Sequence, residues 1–355
     1  MSHFCLLRDP DNYVAHDWDM VLDAEGRQYW LGLFARHFDE TAEHAVHRYG
    51  RSAHKRIAAA REEFAAAVAT LRDEPTALPG GKLDIMAMCR LRERVLRTHD
   101  IAAPFDHIKD RENASAIELY PDVVRELHTM PVEDKWLHLV ESVFAGNIFD
   151  LGSPATMHTA HESPDFLTAI ENVHPRPWAV DHYDRLAEDL PYDPPPKWTR
   201  AVVFVDNAGS DFILGVMPLV RELALAGVQI VLAANELPSL NDLTADETAD
   251  LVEGLSGIDH DLAALIDGQM FEVVSTGNDI PLMDLSEVTD ELNEAADDAD
   301  LVILEGMGRS IESNFNAEFT VDCIRLAMLK DPRVAAHLVG AELYDCVCKY
   351  TPVDE

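Results

Sequence analysis

AVVFVDNAGSDFILGVMPLVRELALAGVQIVLAANE, residues 201–236, decides the fold. It reads as a buried strand over 201–205, an apolar amphipathic helix over 211–226 and a second buried strand over 229–234. The same alternation continues downstream. Helices are expected at 246–255 and 259–266, a strand at 271–275, a helix at 286–299, a strand at 301–304, a helix at 320–329 and a closing strand at 342–350. Alternation of this kind argues for an α/β fold, a doubly wound, largely parallel sheet in a three-layer α/β/α core. Upstream, apolar-periodic segments at 29–49, 52–71, 83–98, 123–127 and 134–144 predict a mainly helical N-terminal domain over residues 1–190. Pro194, Pro195 and Pro196 cannot continue a helix. Residues 191–199 therefore read as a connector and residues 200–355 as the α/β core.

Composition bounds the function. The 355 residues carry 65 Asp and Glu against 28 Lys and Arg, a formal net charge of −37. A polyanion repels phosphate backbones and anionic membrane surfaces, so neither nucleic acid nor membrane is expected as a partner. No basic and apolar leader opens the chain and no apolar run approaches ~20 residues, so a cytoplasmic location is expected. An acidic, Lys-poor surface suits a halophilic, salt-rich cytosol, where dissolved ions screen self-repulsion; a mesophilic acidic protein is the alternative. The five cysteines show no metal-type spacing and read as buried apolar residues.

In doubly wound sheets ligands bind beyond the carboxyl ends of the strands, so the polar residues following each strand carry the chemistry. These are Asp206 and Asn207; Asn235, Asn241 and Asp242; Thr276 to Asp279; then Glu305, Gly306, Met307, Gly308 and Arg309; and Lys349 on the last strand. If they share one edge, carboxylates and an amide oxygen meet two cations there. Oxygen ligands suit a divalent metal, and Arg and Lys suit a phosphoryl group. That combination fits metal-assisted phosphoester hydrolysis. Each element has a plainer reading: an Asx turn or helix cap at Asp206-Asn207, a turn at Asn241-Asp242, a tight connection at Glu305–Arg309, a surface ion pair at Lys349.

The stretch FVDNAGSDFILGVMPLVRELALAGVQIVLAANELPSLNDLT resembles the core of the damage-control phosphatases, domain-of-unknown-function family 89. LVILEGMGRSIESNFNA resembles the EGMGR signature of their second subfamily, which includes the phosphatase domain of a bifunctional animal pantothenate kinase. KDRENASAIELYPDVVREL, VESVFAGNIFDLGSPAT and LYDCVCKYTPVDE extend the resemblance over nearly the whole chain. It implies a metal-dependent phosphatase using Co²⁺, Ni²⁺, Mn²⁺ or Mg²⁺. By motif, it implies Asp206, Asn207 and Asp242 as metal ligands. Glu305, Gly306, Met307, Gly308, Arg309 and Lys349 are implied phosphate contacts, and Asn147 and Asp150 face the same cleft. The implied partner is a small phosphorylated metabolite, damaged or surplus, with 4′-phosphopantetheine and its oxidised forms favoured. One departure touches substrate choice: Glu236-Leu237-Pro238 stands where relatives tend to have Ser-Gly-Pro.

Asp206, Asp242, Arg309 and Lys349 are the expected catalytic groups, acting by direct attack of water. Ala208, two residues after Asp206, denies the second acid that a haloacid-dehalogenase-type phosphatase needs. A non-catalytic sensor of phosphometabolites and a sugar-phosphate phosphatase are the alternatives. His158 and His161 read as part of a helix start or solvated loop, Gly80-Gly81-Lys82 as a turn. Arg111, Glu112 and Asn113 are expected to hold the helical region against the core through a buried ion pair, with substrate contact as the alternative.

Overall fold

The computed structural model describes residues 1–16, 18–148, 166–192 and 195–353. Its strands are β1 (Val180–Asp181), β2 (Arg200–Phe204), β3 (Gln229–Ala234), β4 (Phe271–Ser275), β5 (Leu301–Glu305), β6 (Asp322–Met328) and β7 (Cys346–Thr351). They form one sheet in the order β1-β7-β6-β5-β2-β3-β4. β2 to β6 run parallel to one another. β7 is antiparallel to β6, and β1 lies parallel to β7.

Two expectations change here. The helix expected at 320–329 is strand β6. All its residues are buried, Asp322 and Arg325 included, so neither a helical nor a strand period shows in the sequence. The closing strand runs against β6, so its two ends are exchanged relative to β2 through β6.

The helices are α1 (Ala24–Tyr49), α2 (His54–Asp73), α3 (Ile85–Thr98), α4 (Asp106–Thr129), α5 (Val132–Asn147), the short α6 (Phe166–Glu171) and α7 (Tyr183–Ala187), α8 (Met217–Leu225), α9 (Ala245–Ser256), α10 (His260–Asp267) and α11 (Asp290–Ala296). Their starts are set by caps. Asp23 and Asp84 accept from the N–H groups of Gly26 and Ala87, and Thr244 and Glu247 form a reciprocal capping box. Thr289 caps α11, so that helix begins later than its apolar pattern suggested.

The side-chain alternation of β2 separates two packing faces. Ala201, Val203 and Val205 pack with α4, α5 and α8, whereas Val202 and Phe204 pack with Phe4, Leu7 and α11. Truncating Phe204, wholly buried, to Ala should cost about 3–5 kcal/mol. A third apolar cluster joins α1, α2 and α3 to Leu282, Met307 and Ile311, in the segments after β4 and β5. The N-terminal helices thus roof the carboxyl edge of the sheet, and the apolar clusters run across the proline-rich stretch. Among the described residues no helix is long and apolar enough to cross a membrane.

Candidate active site

The topology selects one crevice. From the centrally placed β2 the chain moves through β3 to β4 on one side, then returns to β5 and β6 on the other. β2 and β5 therefore flank the switch point, where loops diverge and leave room for a ligand. Asp206 follows β2, and Glu305 ends β5.

Backbone hydrogen bonds hold the loops around this crevice together. Asn207 and Asp242 form an isolated antiparallel bridge. The N–H of Leu243 donates to the Asp206 carbonyl at 3.0 Å, and that of Ala208 to the Asn241 carbonyl at 2.9 Å. Gly306 has φ +85°, and a Cβ there would stand 1.9 Å from Asp206 Oδ2, so only glycine lets the β5 loop approach this carboxylate. Both following helical segments, Asp211–Val216 and Met307–Glu312, open as widened π-type turns, a distortion frequent at functional sites.

Three buried carboxylates, from Asp206, Asp211 and Glu305, offer oxygens within 4.8 Å of one another. Asn147, the last residue of α5, donates from Nδ2 to Glu305 Oε1 at 3.0 Å and to Asp211 Oδ2 at 3.1 Å. Asn207 Nδ2 donates to the same Asp211 oxygen at 2.8 Å. Glu305 Oε2 has no hydrogen-bond partner among the described residues. Burial, then the neighbouring charges of Asp211 and Asp206, push the Glu305 carboxyl well above its ordinary value; Arg309 and Lys330 oppose them.

Two cations stand among these acids. Arg309 Nη1 donates to Asp206 Oδ1, while Nη2 donates to Asp242 Oδ2 at 3.0 Å and to Asn235 Oδ1 at 3.3 Å. Lys330, just beyond β6, donates to the Asn147 carbonyl at 2.8 Å. Among the described residues, four buried carboxylates (Asp206, Asp211, Asp242, Glu305) thus gather around Arg309 and Lys330. The donor set is all oxygen, the kind a hard divalent ion takes, and such an ion would offset part of the negative charge gathered there. Asp206, Asn207 and Asp242 line a cavity of about 70 Å³ together with Met307 and Gly308. Its other wall comes from α1 and α3: Trp30, Leu33, Phe34 and Arg92.

Comparison with known proteins decides the family. The Damage-control phosphatase ARMT1-like domain matches residues 34–347. The chain belongs to the damage-control phosphatase family. A damage-control phosphatase of Arabidopsis thaliana is 42% identical over 294 residues, covering 82% of this chain and 78% of the relative. Pantothenate kinase 2 of the same plant is 38% identical over 98% of this chain, and the 4′-phosphopantetheine phosphatase of Mus musculus 30% identical over 97%. The chain spans 42% and 48% of the lengths of those two proteins. The crystal structure of a DUF89 family protein from Pyrococcus horikoshii superposes with a TM-score of 0.63 at 18% identity, covering 90% of this chain and 96% of that one. That likeness shows the fold.

Within this damage-control phosphatase fold, Asp206, Asn207, Asp242, Met307 and Gly308 meet at one cavity, with Glu305, Gly306, Arg309 and Asn147 against it. Lys349 does not join them. Its ammonium donates to the Phe315 carbonyl at 2.6 Å and lies 4.1 Å from the centre of that ring. The reason is strand direction: β7 is antiparallel, and Lys349 pairs with Arg325 in the middle of β6 rather than standing at its carboxyl end. Asp150, like His158 and His161, lies outside the described residues. Of the Arg111–Asn113 group, Asn113 Oδ1 accepts from the Gly209 N–H at 2.7 Å and Glu112 packs on Gly209. Arg111 is largely exposed. Asp211, Lys330 and Arg92 were missed by sequence reasoning. Lys330 had a signal, since it follows β6, but that segment read as a helix.

Proposed function

We propose that the chain is a divalent-metal-dependent phosphomonoester hydrolase acting on small damaged or surplus phosphometabolites, with 4′-phosphopantetheine and its oxidised forms as the leading substrates. The observation that carries the reading is the surplus of buried carboxylates around Asp206 at the switch point between β2 and β5. Family membership supports phosphatase chemistry, and the name of the mouse relative supports the substrate. Trp30, Leu33 and Phe34 give the cavity an apolar part beside the charged Arg92, Glu312 and Asp331, which suits a phosphoester with an apolar portion.

Asp206, Asn207 and Asp242 would hold the ion, with Asp211 and Glu305 completing the negative surround. A bound divalent ion polarises a phosphoryl oxygen and lowers the pKa of water. Arg309 fixes the Asp206 and Asp242 carboxylates relative to each other, because both its terminal nitrogens are engaged by them. Met307 and Gly308 bring backbone to the cavity wall, where N–H groups stabilise charge on a transferring phosphoryl group. Asp206 or Asp242 orients the attacking water. Ala208 offers no acid two residues beyond Asp206, which favours direct attack over a phospho-Asp206 intermediate.

Phosphate release from p-nitrophenyl phosphate with Co²⁺, Ni²⁺, Mn²⁺ or Mg²⁺, at low and molar salt, tests this. Turnover should depend on the metal and fall more than about 10³-fold in Asp206→Ala. Binding of phosphate esters without turnover under every condition contradicts the proposal and leaves a phosphometabolite sensor.

A further inference from the structure

A phosphoryl dianion in the cavity needs a cation whose donors are not already engaged. Arg309 has its terminal nitrogens on Asp206, Asp242 and Asn235. Lys349 is turned to Phe315, and Lys330 to the Asn147 carbonyl. Arg92, on α3, is differently placed. It lines the same cavity as Asp206, Asn207 and Asp242, and it is only 2% exposed. It falls among Met88, Cys89 and Leu96 on the buried face of α3, where an apolar residue is the default.

Its surroundings hold it on several sides. Nε donates to Glu93 Oε1 at 2.8 Å, and Nη1 lies 3.4 Å from His37 Nδ1. The guanidinium carbon lies 6.0 Å from the centre of the Phe34 ring. The Ser239 hydroxyl donates to the same Glu93 oxygen at 3.0 Å. Ser239 and Asp242 share one loop, and the Asp242 N–H donates to the Ser239 carbonyl at 3.0 Å. A continuous chain of contacts thus ties the guanidinium to the loop that carries Asp242. Yet Nη2 has no hydrogen-bond partner among the described residues. A buried, fixed, charged N–H without an acceptor is costly in a folded protein and marks a group awaiting one.

We infer that Arg92 binds the phosphoryl group of the substrate, its Nη2 donating to a phosphoryl oxygen from the wall opposite Asp206 and Asp242. This rests on the phosphatase reading above and adds a specificity residue to it. The N-terminal helices then supply a recognition group as well as a roof. Arg suits the role because its planar, permanently charged fork can keep Glu93 on one side while offering a phosphate the other.

The test uses the full chain, p-nitrophenyl phosphate turnover with Mn²⁺, and calorimetric titration of inorganic phosphate and of Mn²⁺. Arg92→Met leaves Glu93 buried without its partner, so Arg92→Met/Glu93→Gln, which removes the pair together, is measured beside it. Both variants should weaken phosphate binding and raise KM by about 10- to 100-fold, with Mn²⁺ affinity within about 2-fold of wild type. Arg92→Lys should fall between. A folded double variant with unchanged phosphate affinity overturns the inference. So does a loss of Mn²⁺ affinity as large as the loss of phosphate affinity, which would make Arg92 a prop for the Asp242 loop. Wild-type protein that binds phosphate through Arg92 but hydrolyses nothing upholds the inference and defeats the phosphatase reading.

Discussion

Arg221 and Arg309 are both buried arginines held by carboxylates, and their surroundings differ in charge balance. Arg221, on α8, bonds Asp259 at 2.6 Å, Glu222 at 2.7 Å and Asp261 at 2.7 Å. Lys135 takes the other oxygen of Glu222 at 2.7 Å, the Tyr120 hydroxyl donates to Asp259 at 3.1 Å, and Asp261 is half exposed to water. Asp259 also caps α10, accepting from the N–H groups of Asp261 and Leu262. Burial works against the Asp259 carboxylate, but Arg221 and Leu262 hold its pKa below the ordinary value. Around Arg309 the sign is opposite, and the Glu305 carboxyl is pushed well above its ordinary value. A satisfied cluster clamps α4, α5, α8 and α10 together. An acid-rich one stands at the switch point of the sheet, where Asp206, Asp211 and Glu305 could hold a metal ion.

The contrast can be broken by mutation. Arg221→Met should cost about 3–5 kcal/mol of stability, because it leaves buried carboxylates uncompensated, while leaving divalent-ion affinity unchanged. Urea unfolding beside ion titration reads both. An equal loss of ion affinity would show that the two clusters are one network.

A smaller effect concerns Glu112, which packs against Gly209 in the loop after Asp206. Burial pushes its carboxyl up to about 7, with Arg111 opposing. In the unfolded chain it ionises near its ordinary value, so between roughly pH 4.5 and pH 7 the folded protein binds more protons. Stability is therefore lost as pH rises through that window. Glu112→Gln removes the loss, and its advantage over wild type should grow between pH 5 and pH 8 to on the order of 2 kcal/mol. Denaturant midpoints across that range give the answer, and a constant difference would contradict the burial argument.

The smallest effect is expected at Lys349. Lys349→Met should change p-nitrophenyl phosphate turnover by less than about 2-fold, since its hydrogen bond goes to Phe315, away from the cavity. A large loss of turnover would bring β7 back into the site.

Much of this was legible in residues 201–236. Apolar strands bounded by polar residues announce a parallel sheet, and β4 lies where its apolar run ends, at Phe271–Ser275. Asp206, Asn207 and Asp242 were legible for the same reason, being polar groups at the ends of buried runs. Strand direction was not: Cys346–Thr351 has the composition of a strand whichever way it runs, and only its pairing with β6 shows that Lys349 is misplaced. Asp211 was hidden at the start of an apolar helix, where an acid reads as a first-turn residue stabilising the helix N-terminus. Arg92 did leave a mark, a charged pair with Glu93 on the apolar face of α3, but its purpose depends on loops over a hundred residues away that only folding brings to it.

Isothermal titration of Mn²⁺ into the metal-free protein tests the central claim most directly. One ion should bind per chain in wild type, and Asp206→Asn, which retains shape but removes one of the clustered charges, should abolish that binding. A wild-type chain that takes up no ion, or an Asp206→Asn variant that binds as tightly as wild type, would contradict the account.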